Sequence, residues 1–171
     1  MSDAGVCPFC IRALLEDRAR YLVPMYQRNY AWGEGEITQL LQDVLDYQQK
    51  LVSGKGPQTY YIGTLVVFAR DDGSFEVIDG QQRFTTLSLL ANWLKHHAKD
   101  AVNMSWYRAI NLDFESRPIS SHTFERLWQG VAPHQLVGDG VNEGLVKGFK
   151  LIGEKLPELL RQKGLELCDF C

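Results

Sequence analysis

Between Phe75 and Leu94 the chain changes its hydrophobic period with almost nothing in between. Phe75-Glu76-Val77-Ile78 reads as a strand, and Phe84, Leu87, Leu90, Ala91 and Leu94 recur at helical spacing. Only Asp79-Gly80-Gln81-Gln82-Arg83 separates them, so a strand must turn directly into a helix there. The first amides of a helix have no intrahelical acceptor, and the helix dipole puts its positive end at the same place. An anion is stabilised there, most often a phosphate. Arg83 adds a planar fork that can hold a phosphate through two hydrogen bonds. Gly80 allows close backbone approach, while Gln81 and Gln82 can donate to oxygens or orient a water. Asp79 has three available roles: cation ligand, helix cap or proton acceptor. Capping by an Asp-Gly turn accounts for a polar first turn by itself. Two glutamines and an arginine exceed what capping needs, and the turn is read as a phosphate or nucleotide site. Thr85 either supplies a hydroxyl to that phosphate or bonds back within its own helix.

A second polar segment lies upstream. Pro24-Met25-Tyr26-Gln27-Arg28-Asn29-Tyr30-Ala31-Trp32 is kept out of helix by its proline. Its aromatic faces can stack on a base, and Gln27 and Arg28 can meet phosphate or sugar oxygens. The alternative is that Tyr26, Tyr30 and Trp32 anchor a long loop to the core.

Taken together, Leu22 to Trp32, Tyr61-Ile62-Gly63-Thr64-Leu65-Val66-Val67 and Val77 to Leu87 resemble the GmrSD-type restriction endonuclease N-terminal domain. The resemblance runs in order from about Ile11 to Leu94 and more weakly to the C-terminus. It implies a ParB/sulfiredoxin-like nucleotide-binding core. It also implies binding and hydrolysis of a nucleoside triphosphate with Mg²⁺, controlling a nuclease domain or partner in defence against modified phage DNA. By position, the family signature falls on Tyr26, Gln27 and Arg28 and on Asp79, Gly80, Gln81, Gln82 and Arg83. Phe84 stands where the family usually has leucine, which keeps the position apolar. DNA would be met through the nuclease partner. The histidines here, His96, His97, His122 and His134, lack the His-Asn-His nuclease arrangement. A longer protein or a second component would supply the DNA-cutting centre.

Two classes of function fit these residues. In a hydrolase, Arg83 and Arg28 neutralise the phosphates, Asp79 binds Mg²⁺ or helps activate water, and Gln81 or Gln82 positions it. In a non-catalytic module the same residues hold a nucleotide or a nucleic-acid backbone as a signal. A net charge of −3 argues against a broad duplex-binding surface. No apolar run is long enough to cross a bilayer and no leader pattern opens the chain, so a cytoplasmic protein is expected.

The four cysteines form Cys7-Pro8-Phe9-Cys10 and Cys168-Asp169-Phe170-Cys171. Two such pairs supply the four thiolates of a structural zinc site if the fold joins the chain ends. A redox pair at Cys7 and Cys10, or free thiols, are the alternatives.

The organisation expected is one α+β domain over 1–171, with a core over about 11–100 and a helical extension over 101–171. A short helix at Ile11 to Arg18 precedes a helix from Glu34 whose stripe is Ile37, Leu40, Leu41, Val44, Leu45 and Leu51. Asp43 sits at the edge of its solvated face. Tyr60 to Phe68 is expected as a buried strand, paired in a hairpin with Phe75 to Ile78. Ala109 to Phe114 is a strand or an extended link, and Ser121 to Gln129 a short helix. A last helix through Leu145, Phe149, Ile152 and Leu156 is expected to kink or break near Pro157. Arg117 is the extra contact that the C-terminal part offers the site.

Overall fold

The computed structural model describes residues 5–56 and 59–170. Among them are five α-helices and four strands. Helix α1 spans Ile11–Glu16, β1 Tyr21–Val23, α2 Glu34–Val52, β2 Val66–Ala69, β3 Phe75–Asp79 and α3 Gln81–His97. Strand β4 follows at Leu112–Phe114, then α4 at Pro118–Trp128 and α5 at Glu143–Lys163. The fold class is α+β, as the sequence indicates.

The sheet is mixed, in the order β2-β3-β1-β4. Strand β1 lies parallel to both neighbours, with Tyr21 opposite Phe75 and Leu112, and Leu22 opposite Glu76 and Asp113. Strand β2 runs antiparallel to β3, with a register shift between Val66 and Val67. The three parallel strands therefore end at one edge. Pro24, Gly80 and Glu115 follow them there, and the loop after β1, the turn after β3 and the loop after β4 become neighbours. Strand β4, drawn from the stretch expected to form a helical extension, completes the sheet.

One face of the sheet carries the core. Tyr21, Val23, Val77, Leu112 and Phe114 are buried, and the Tyr21 ring meets Phe84 edge-on at 5.3 Å. Helix α3 is buried almost all round from Phe84 to Leu94, as a helix must be when elements surround it. Helix α2 buries Ile37, Leu40, Leu41 and Leu45, whereas Leu51 is exposed in its last turn. Glu36 reaches back to the Gly33 amide at 3.0 Å to close its first turn. Helix α5 is capped by Asn142, whose oxygen takes the Leu145 amide at 3.2 Å, and it stops at Gly164 with a φ of 64°.

Tyr30 is seated on the backbone of α5. A Cβ on Gly144 would lie 2.5 Å from the Tyr30 carbonyl oxygen, and one on Gly148 would lie 2.7 Å from its ring. Glycine inside a helix costs about 1 kcal/mol against alanine. Here it is the condition for the close approach.

Three expectations need correction. The run Tyr60 to Phe68 is not a buried strand: only Val66–Ala69 is strand, and every residue of it is exposed. Strand propensity reports a fit to a pleated surface, not cover over it, and β2 is an edge strand that no helix covers among the described residues. Pro157 lies inside a continuous α5 and does not end it. Helix α4 starts at Pro118, not Ser121, because proline suits the first helical turn.

Candidate functional site

The turn after β3 is built around Gly80, whose φ of 91° and ψ of 8° lie in the left-handed region. A Cβ there would also come within 2.8 Å of the Thr64 carbonyl oxygen. Only glycine meets both conditions. Gly80 is therefore the N-cap of α3, and no side chain caps the helix. Asp79 precedes the cap and is exposed, so the capping role open to it in the sequence is not used. The amides of Gln81, Gln82 and Arg83 have no intrahelical acceptor, since the first such bond runs from the Phe84 amide to the Gly80 carbonyl at 2.9 Å. An uncapped positive helix end beside an arginine is the main electrostatic feature of this edge.

Arg83 is half-buried. Its guanidinium lies against Gly63, where φ is 130° and a Cβ would stand 2.3 Å from Nη1. Gly63 thus clears the space that Arg83 occupies. Tyr60 and Asp43 are close by. Burial, then the Asp43 carboxylate, pushes the Tyr60 hydroxyl above its usual range, and the Arg83 charge opposes this. Arg28 is exposed. Glu36 is held below the usual carboxylate range by backbone amides, with the Arg28 charge adding to them. Glu36 and Asp43 are seven residues apart on α2, two turns along one face. Both arginines therefore border the same side of α2.

The loop Pro24–Trp32 is held by side chains from several elements. Gln81 Nε2 donates to the Arg28 carbonyl at 2.7 Å. Gln82 uses both ends of its amide: Oε1 accepts from the Ala31 amide at 2.8 Å and Nε2 donates to the Asn29 carbonyl at 3.1 Å. Gln27 Nε2 returns the contact to the Ile78 carbonyl at 2.7 Å. Thr86 donates to the Gln82 carbonyl at 2.9 Å, so the Tyr30 hydroxyl donates to Thr86 at 2.8 Å. Arg117 gives its guanidinium to the carbonyls of Met25 at 2.9 Å, Arg28 at 3.4 Å and Gln27. It faces the loop backbone, where a ligand contact was expected.

The aromatic residues of the loop divide. Tyr30 is a core anchor and Trp32 packs partly against the core. Tyr26 is exposed, with its hydroxyl on Glu76 at 2.5 Å. Glu76 also takes Arg70 at 2.7 Å, and the same guanidinium reaches Glu115 at 2.8 Å. The Tyr26 hydroxyl and then Arg70 hold Glu76 low, and Arg70 does the same for Glu115.

Gln81 and Gln82 are buried, and Gln81 Oε1 has no partner. Thr85 is fully buried with an unpartnered hydroxyl. It sits beneath the surface in this conformation. Cys7, Cys10 and Cys168 are exposed free thiols, and Cys10 Sγ caps α1 through the Ala13 amide. Cys171 lies outside the described residues. Among the described residues no group of three His, Cys, Asp or Glu side chains is placed to hold a metal ion. No helix among them is long and apolar enough to cross a membrane.

The sequence reading missed Gly63, Tyr60 and the Arg70 cluster as parts of this edge. A glycine inside a β-rich run signals close approach of another group, which is the clue that would have found Gly63. Nothing local marks the Arg70 network, because its partners come from three separate segments.

Curated protein sequences contain no match to this chain. The profile of the GmrSD restriction endonuclease N-terminal domain matches residues 11–155, which includes the loop, the turn and the two α5 glycines under Tyr30. The chain therefore belongs to the GmrSD restriction endonuclease N-terminal domain family and is a restriction-system module.

Proposed function

We propose that this module binds a nucleoside triphosphate at the start of α3 and uses the bound state to control a nuclease domain or partner. The observation that carries the reading is the uncapped first turn of α3, with left-handed Gly80 before it and Arg83 beside it. Phosphate oxygens would take the amides of Gln81 to Arg83, and Arg83 would add a forked charge-assisted contact. Arg28, exposed on the neighbouring loop, would extend the positive field, and Tyr26 offers a free ring for a base. Mg²⁺ is commonly held by one or two carboxylates together with substrate phosphates. Asp79, exposed at the turn, fits that pattern, and the ion would supply neutralisation of phosphate charge. A zinc ion on the terminal cysteines is not part of this reading, since the described residues do not group three ligands.

Hydrolysis is the bolder form of the proposal, with Asp79 as metal ligand or proton acceptor and Gln81 Oε1 as the amide oxygen left to orient a water. One observation favours the non-catalytic form. Gln82 spends its whole amide on the loop, and Gln81 spends its donor there too. In that form the glutamines couple the phosphate-binding turn to the loop and do no chemistry.

Calorimetry with the common triphosphates and Mg²⁺, alongside phosphate release, separates the two forms. Asp79→Ala should stop turnover more than binding in a hydrolase, and a binding module has no turnover to lose. Wild-type nucleotide affinity in a folded Arg83→Ala protein would refute the site.

A further inference from the structure

The β2–β3 hairpin leaves an apolar strand edge open. Strand β2 is an outermost strand of the sheet, and among the described residues its backbone is paired only on the β3 side. Val66 is 42% exposed and Phe68 60%, and the sequence Val-Val-Phe-Ala carries no lysine, proline or charge. Folded proteins usually blunt such an edge with those residues, because unpaired amides and carbonyls template another strand. The apolar surface continues past β2. Ile78 on β3 is 40% exposed and Tyr26 on the adjoining loop 69%. An exposed apolar patch of this kind marks an interaction surface.

The charge of the hairpin itself is largely acidic. From Val66 to Asp79 the hairpin carries Asp71, Asp72, Glu76 and Asp79 against Arg70 alone. That arginine is already shared between Glu76 and Glu115. An acidic rim on an apolar edge complements an extended segment with alternating apolar residues and basic ends. We propose that β2 is a docking strand for such a basic, β-forming segment of a protein partner, which would add to the sheet as a further strand. Four residues of edge are too little surface for a stable symmetric dimer by themselves, which favours a linear segment over a second copy. The location gives docking a consequence. Val66 pairs with Asp79, so an added strand lies one strand away from the turn that begins α3.

The test uses the whole chain and a short amidated peptide of alternating valine and threonine flanked by lysines. Backbone amide exchange within Val66–Ala69 should slow on peptide addition, with resonance shifts confined to β2, β3 and Tyr26. Phe68→Asp, at an exposed position that does not threaten the fold, should weaken binding about tenfold or more. The same peptide with glutamates for lysines should bind roughly tenfold more weakly at low salt. No slowing at Val66–Ala69 under saturating peptide, or equal binding by Phe68→Asp, overturns the proposal. Self-association of the chain that Phe68→Asp abolishes would assign the edge to a second copy and overturn the partner.

Discussion

The loop Pro24–Trp32 and the turn Gly80–Arg83 contain the same kinds of residue and use them in opposite ways. The backbone of the loop is satisfied by side chains from outside it: Gln81, Gln82 and Arg117 bond to its carbonyls and amides, and its own Gln27 ends on the Ile78 carbonyl beside it. In the turn, backbone amides are left without an acceptor among the described residues and Asp79 stays in solvent. A loop without regular secondary structure has to satisfy its backbone from side chains. A helix start can leave its donors to water, or to a ligand. The comparison assigns rigidity to the loop and availability to the turn.

That assignment can be broken by variants on each side. The largest effect should come from Gln82→Ala, which strips partners from the Ala31 amide and the Asn29 carbonyl together. A loss of about 2–3 kcal/mol in folding stability is expected in a denaturant titration. A loss within error would mean that the loop does not depend on the clamp. Arg83→Ala should act the other way, leaving the denaturation midpoint almost unchanged while triphosphate affinity falls by about 2 kcal/mol. Arg83→Lys should recover part of that, because an ammonium keeps the charge without the fork. Arg117→Ala should cost about 1–2 kcal/mol of stability and speed amide exchange in the loop. An effect of Arg117→Ala on nucleotide affinity alone would place its guanidinium on the ligand and reverse its assignment.

The ion cluster beneath Tyr26 should give a smaller, pH-dependent effect. Glu76 and Glu115 both titrate below their usual value of 4.5 in the folded chain. A carboxyl with a depressed folded pKa stabilises above its unfolded value, and that contribution is lost as pH falls through the folded one. The denaturation midpoint should therefore be flat above 4.5 and drop below it. Glu76→Gln should lower the plateau and shallow the drop. Smallest of all is Tyr26→Phe, which removes one exposed contact to Glu76 and should leave stability unchanged within error while raising the Glu76 titration.

Much of this architecture is legible in the sequence, and the reasons are particular. Helices α2 and α3 are marked by their apolar spacing, and the strand-to-helix turn by Asp79-Gly80. The exposure of β2 is not legible, because Val66 and Phe68 have the same propensity whether or not anything lies over them. The division of labour among the polar residues is hidden for a different reason. A glutamine amide suits a loop carbonyl and a phosphate equally well, and only the folded distance tells them apart. Arg117 illustrates this: its charge is visible in the sequence, but its destination depends on β4 ending beside β1.

The two glycines of α5 under Tyr30 bear on how portable this module is. The residues of the proposed nucleotide site run from Tyr26 to Arg83, in the first half of the chain, and invite transfer to another protein as a short cassette. Their loop, however, rests on a residue that touches the bare backbone of the last long helix at Gly144 and Gly148. A cassette cut before that helix would carry the whole proposed site and lose the floor it stands on. A graft that keeps α5 but swaps either glycine for alanine would fail at the same point, with every residue of the proposed site still in place.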